Sequence, residues 1–86
     1  MKNIFIGIDF SKKTFDATVL KANLLHEKGE HRQFSNNKNG ALKLIKWVEK
    51  IGAREECLFC GEDTGLYSKI VSETIVNEGC FMWLDS

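Results

Sequence analysis

Apolar and polar residues alternate along this chain with two different periods, and the change of period marks its elements. Residues 2–10, KNIFIGIDF, place Ile4, Ile6 and Ile8 on one side of an extended strand and Phe5, Gly7 and Asp9 on the other. Both sides stay apolar until Asp9, the pattern of a central strand covered on both faces. The polar turn Ser11-Lys12-Lys13 follows. Residues 14–20, TFDATVL, are β-branched and aromatic with period two, which predicts a second strand hairpinned to the first. Residues 24–34 are more polar, with His26, Lys28, Glu30 and Arg32. They predict an exposed third strand with an irregularity at Gly29, its charges protecting a sheet edge.

The period then lengthens. Ala41, Leu44, Ile45 and Val48 recur at helical spacing behind a cap at Asn36 or Asn37, while Lys43, Lys46 and Lys50 face solvent and Gly52 stops the helix. Residues 57–60, CLFC, form a short apolar run expected to be a buried strand parallel to the first. A second helix is expected behind a Thr64 cap, with the stripe Leu66, Ile70, Val71, Thr74 and Ile75, ending at Gly79. Residues 80–84, CFMWL, open another strand, also expected to be buried. The order β-β-β-α-β-α-β predicts an α/β domain with a mixed sheet and helices on its faces. This is a ribonuclease H-like arrangement, with the first strand lying between the second and the fourth.

Eighty-six residues allow one domain with a thin core. Net charge is zero, so the basic footprint of a stand-alone nucleic-acid binder is missing, although a catalytic domain does not require it. The N-terminus carries no secretory signal, and no apolar run is long enough to span a membrane. Three cysteines, an odd set, argue for a reducing compartment, so a cytoplasmic location is expected.

Asp9 carries the first chemical question, because desolvating a carboxylate inside an apolar strand costs several kcal/mol unless a cation or donors compensate. Glu62 poses the same question at the end of the CLFC strand. If those strands are neighbours, the two carboxylates converge at one sheet edge, where a divalent cation relieves their repulsion. An all-oxygen donor set favours Mg²⁺ or Mn²⁺ over Zn²⁺, and such ions serve phosphoryl transfer. The plainer alternative makes Asp9 the cap of the Ser11-Lys12 turn and Glu62 a solvated strand end.

Gly7-Ile8-Asp9, Ser11-Lys12, Asp16, Phe34-Ser35-Asn36, Gly40 and Glu62-Asp63-Thr64-Gly65-Leu66-Tyr67 occur in an order spanning nearly the whole chain. In this the sequence resembles the N-terminal domain of the DEDD-type insertion-sequence transposases, relatives of the Piv site-specific invertases. The resemblance implies a fold like that of the RuvC Holliday-junction resolvases. It also implies that Asp9 and Glu62 are the first two acids of a catalytic, metal-binding Asp-Glu-Asp-Asp tetrad. The other two acids and a second domain bearing a nucleophilic Ser are then expected beyond Ser86, which makes residues 1–86 the N-terminal portion of a catalytic domain. DNA, a guide RNA and a homo-oligomeric assembly are the implied partners of the intact protein. The fragment alone is expected to be inactive and to bind metal weakly.

Lys12 and Lys13 are candidate contacts to a nucleic-acid backbone, or an ordinary charged turn. Thr64 is a candidate phosphate contact at a helix start, although Glu62 and Asp63 beside it favour a structural role for the turn, with Gly65 permitting close approach. Tyr67 is expected to pack. Asp16 is expected to fix the hairpin or pair with Lys12 or Lys13. Cys57 and Cys60 point to opposite faces of a strand and so do not chelate zinc together. Two other readings remain: half of an actin- or sugar-kinase-like phosphotransferase, and a non-catalytic interaction domain. The first normally grips phosphate with a Gly-rich hairpin, which Phe10-Ser11-Lys12-Lys13 lacks.

Overall fold

In the computed structural model, which describes residues 2–22 and 29–86, two hairpin-linked strands, β1 (Ile4–Phe10) and β2 (Thr14–Lys21), are followed by β3 (Glu30–Ser35). Next come α1 (Lys38–Glu49), a single 3₁₀ turn (Arg54–Glu56), β4 (Cys57–Glu62), α2 (Leu66–Asn77) and β5 (Phe81–Asp85). The expected residues 24–28 of the third strand lie outside the described residues. The domain is α/β, and its five strands form one mixed sheet in the order β3-β2-β1-β4-β5. β1 and β2, and β2 and β3, pair antiparallel, while β1 with β4 and β4 with β5 pair parallel. No helix among the described residues is long and apolar enough to cross a membrane.

The helices do not cover both faces as expected. α1 carries the chain from β3 over to β4, and α2 carries it from β4 to β5, so both crossovers advance in the same direction across the sheet. Right-handed connections then place both helices on the same side. The core lies between that helical layer and one sheet face: Ile4, Ile6, Ile8, Phe15, Ala17 and Phe59 pack with Ala41, Leu44, Ile45, Val48, Val71 and Ile75. Phe10, Phe15, Phe34 and Trp47 form a chain of rings with centroids 6.3, 5.4 and 5.9 Å apart, which ties the hairpin and β3 to α1. Among the described residues nothing covers the other face. On β1, Phe5 is half-buried while Gly7 and Asp9 are exposed, which corrects the reading of a strand covered on both sides.

Two helix starts differ in their chemistry. Asn37 caps α1, its side chain accepting from the Gly40 amide at 2.8 Å. Gly40 packs so closely on β3 that a β-carbon there would lie 1.8 Å from the Ser35 carbonyl oxygen. Thr64 does not cap α2: Gly65 holds the cap position, at φ 66°, with no side-chain cap bond. Asp63 stabilises this turn instead, its carboxylate accepting from the Gly65 amide at 2.9 Å and the Ser68 hydroxyl at 3.1 Å. Gly65 is needed for its left-handed backbone rather than for close approach, since nothing lies within 4 Å of where its β-carbon would be. α1 ends at Glu49, before Gly52, whereas Gly79 follows α2 at φ 82° as its expected stop.

Candidate functional site

Strand registers sort the open face into three rows. The top row sits at the C-terminal ends of β1, β4 and β5. Asp9 pairs across to Asp16, and Asp16 to Gln33. On the other side Asp9 and Glu62 each follow the parallel pair Ile8–Gly61, and Glu62 pairs with Asp85. Four carboxylates, Asp16, Asp9, Glu62 and Asp85, therefore stand at one level on four adjacent strands, roughly 5 Å apart from strand to strand.

The middle row runs His31, Thr18, Gly7, Cys60 and Trp83, and its centre consists of small residues. The bottom row is apolar: Leu20, Phe5, Leu58 and Phe81. An open trough of about 730 Å³ follows the middle row, with the four carboxylates, Leu58 and Trp83 among its walls.

The structure thus brings Asp9 and Glu62 together on one face of one sheet edge, in the neighbouring strands β1 and β4. Among the described residues, Asp9, Glu62 and Asp85 have no ion-pair partner. Asp16 is held, but not by the lysines expected for it. Its Oδ1 accepts from His31 Nε2 at 3.2 Å and Gln33 Nε2 at 3.3 Å, and His31 Nδ1 in turn meets the Thr18 hydroxyl at 3.1 Å. β2–β3 pairing decides this: it sets His31 and Gln33 beside Asp16, while Lys12 and Lys13 lie exposed in the turn beyond the strand. Among the described residues no group of three or more His, Cys, Asp or Glu side chains is arranged to hold a metal ion.

The remaining candidates lie outside the trough. Lys12, Lys13, Thr64 and Gly65 are exposed beyond its carboxylate end and do not line it. Tyr67 is 40% exposed rather than packed, and its backbone carbonyl makes the contact that matters. Asn36 donates from Nδ2 to the carbonyls of Ser11 at 2.7 Å and Tyr67 at 2.8 Å, while its own amide donates to the Lys13 carbonyl at 2.9 Å. One side chain thereby clamps the two loops that follow Asp9 and Glu62. The Phe34-Ser35-Asn36 stretch contains this residue, but local pattern allowed only a helix-cap role for it.

Sequence reasoning missed Asp85 and His31 as site neighbours. Asp85 shares a face with Trp83 by period two, yet only the β4–β5 register shows that it stands beside Glu62. Cys57 lies in the core and Cys60 on the open face, and burial holds the thiols of both, and of Cys80, protonated above their ordinary range. In comparisons with known proteins, no family model and no curated protein matches the chain.

Proposed function

We propose that this chain is the N-terminal portion of a ribonuclease H-like catalytic domain in a metal-dependent DNA transposase or recombinase, supplying its first two acidic ligands. The observation that carries the reading is the placement of Asp9 and Glu62 at one level, on one face, at the C-terminal ends of adjacent parallel strands. A meander of three strands followed by two parallel additions, with the first strand central, supports it. So does the run of motifs from Gly7-Ile8-Asp9 to Tyr67.

The donor chemistry fits a hard divalent cation. Asp9 and Glu62 offer only oxygen, lack ion-pair partners among the described residues, and face solvent on the same side. Mg²⁺ or Mn²⁺ held there would activate an attacking oxygen and stabilise a leaving one on a phosphodiester. The chain's own part is positional. β1 and β4 fix the spacing of the two carboxylates, and Asn36 ties the loops that follow them. Lys12 and Lys13, exposed in the turn just after Asp9, would meet a DNA backbone in this reading. In this reading DNA is the substrate, and a guide RNA and further copies of the chain join the intact assembly.

Titration with Mn²⁺ followed by NMR tests the reading. Paramagnetic broadening is expected first at the amides of Asp9 and Glu62, and it should disappear in Asp9→Asn or Glu62→Gln. Broadening that spares both residues in the native chain would sink the proposal. In the intact protein either substitution is expected to abolish DNA cleavage with the fold retained, and wild-type turnover would remove the catalytic claim.

A further inference from the structure

Asp9 and Glu62 lie just past the point where the sheet holds β1 and β4 together. The parallel ladder of these strands ends at the pair Ile8–Gly61, and beyond it each acid is paired outward, Asp9 with Asp16 and Glu62 with Asp85. Immediately before that end the strands are drawn close. A β-carbon at Gly61 would lie 2.8 Å from the Phe10 ring and 3.1 Å from the Ile8 carbonyl oxygen, so a glycine is needed beneath the acids. Above them the chain leaves β1 through Ser11 and β4 through the turn into α2, and the ladder no longer joins the two.

A residue that belongs to neither strand joins them. Asn36, between β3 and α1, is itself anchored by its backbone amide on the Lys13 carbonyl at 2.9 Å. Its Nδ2 carries two protons, and its two acceptors lie in different loops: the Ser11 carbonyl at 2.7 Å and the Tyr67 carbonyl at 2.8 Å. Its Oδ1 is buried with no partner among the described residues. A buried orphan acceptor destabilises the fold, so the contribution of this amide lies in its two donors.

We infer that Asn36 is a positioning residue whose side-chain amide fixes the separation of Asp9 and Glu62 beyond the end of the ladder. Its consequence for metal binding rests on the divalent-cation reading of that pair. A cation of the Mg²⁺ type demands near-ideal oxygen geometry, so two carboxylates left free to spread bind it less well. Loss of a residue that orients metal ligands without touching the metal typically weakens affinity by about tenfold.

The experiment compares the native chain with Asn36→Ala and with Val48→Ala, a change at a buried position of α1 that controls for lost stability alone. At a temperature where the variants are folded, NOEs between the backbone protons around Asp9 and Glu62 are measured in EDTA. Mn²⁺ affinity is measured separately by EPR. Asn36→Ala is expected to weaken the Asp9–Glu62 NOEs while those between Ile6 and Phe59 persist, and to weaken Mn²⁺ binding by about tenfold. Val48→Ala is expected to change neither. In the native chain the Asn36 Nδ2 protons should give NOEs to both loops, a test that needs no variant to fold. Native Asp9–Glu62 NOEs or native Mn²⁺ affinity in folded Asn36→Ala would overturn the inference. So would an equal loss in Val48→Ala, or Nδ2 protons that exchange freely with solvent. If the native chain binds no Mn²⁺, the cation reading fails, and the comparison in EDTA still decides the role of Asn36.

Discussion

Asp9 stands opposite Asp16 across the β1–β2 ladder, and like charges directly opposite one another in a sheet are destabilising by about 0.2–1 kcal/mol. Asp9→Asn should therefore raise the unfolding free energy by about 0.5 kcal/mol in EDTA, and urea denaturation measures it. A fall in stability would mean that the Asp9 carboxylate has a favourable partner in the folded state. Asn36 acts in the opposite sense. Its side-chain amide donates to two carbonyls from different elements, and its Oδ1 is buried without a partner. Asn36→Ala is expected to cost about 1–3 kcal/mol, since the Ser11 and Tyr67 carbonyls lose their donor. If Asn36→Ala unfolds at the native urea midpoint, the clamp contributes nothing. Asp9 and Glu62 were legible as individual residues because an acid within or ending an apolar run is locally anomalous. Asp16, His31 and Asp85 were not, because their neighbours come from other strands.

Helical spacing identifies α2 and the buried Val71, Thr74 and Ile75 of its stripe, but wrongly adds Leu66 and Ile70 and omits Ser68 and Ser72. Leu66, 82% exposed, and Ile70, 43% exposed, lie outside the contact, whereas Ser68, Val71, Ser72, Thr74 and Ile75 are buried. A strip containing two serines and a threonine is hard to recognise from hydropathy. The close approach of α2 to the sheet and to α1 selects small residues there over large apolar ones. Ile75→Ala should cost about 2–5 kcal/mol, and Leu66→Ala should stay within about 0.5 kcal/mol. Thermal melts of the two variants test whether Leu66 lies outside the buried contact, and the reverse ranking would restore Leu66 to the core. β5 was misjudged for a related reason. CFMWL reads as a buried strand, yet Phe81, Trp83 and Leu84 are 53, 63 and 37% exposed. β5 is the edge of the sheet, and no described helix covers its outer face. α1 was read correctly because Ala41, Leu44, Ile45 and Val48 are all buried, leaving an unambiguous stripe.

At the scale of the molecule, pH acts through the thiols. Burial raises the pKa of Cys57, Cys60 and Cys80, so the folded state holds their protons at a pH where the unfolded chain releases them. Stability is therefore unaffected by these groups below the ordinary thiol value of 9.0 and falls as pH rises above it. Chemical denaturation between neutral pH and pH above 9 is expected to show that decline, and replacing Cys57 with Ala should flatten it. A profile as steep without Cys57 would assign the decline to other groups. The exposed apolar band and Trp83 also make the domain prone to self-association. Sedimentation at rising concentration should show it, with Trp83→Lys reducing it.

The alternation of Ile4, Ile6 and Ile8, the β-branched hairpin partner and the Ala41–Val48 stripe were enough, by themselves, to determine an α/β domain with a mixed sheet. Periodicity is a local property, and each of these segments buries one clear face. The acids at positions 9 and 62 were also marked in the sequence, as polar residues in or at the end of apolar strands. Tertiary structure alone decided that both helices lie on one side, because handedness acts only once the strand order is set. It alone aligned Asp16, Asp9, Glu62 and Asp85 in one row, because pairing register joins residues as far apart as positions 16 and 85. And it alone left an open face with an apolar end and an acidic end, since exposure is a property of what packs against a strand and not of the strand itself.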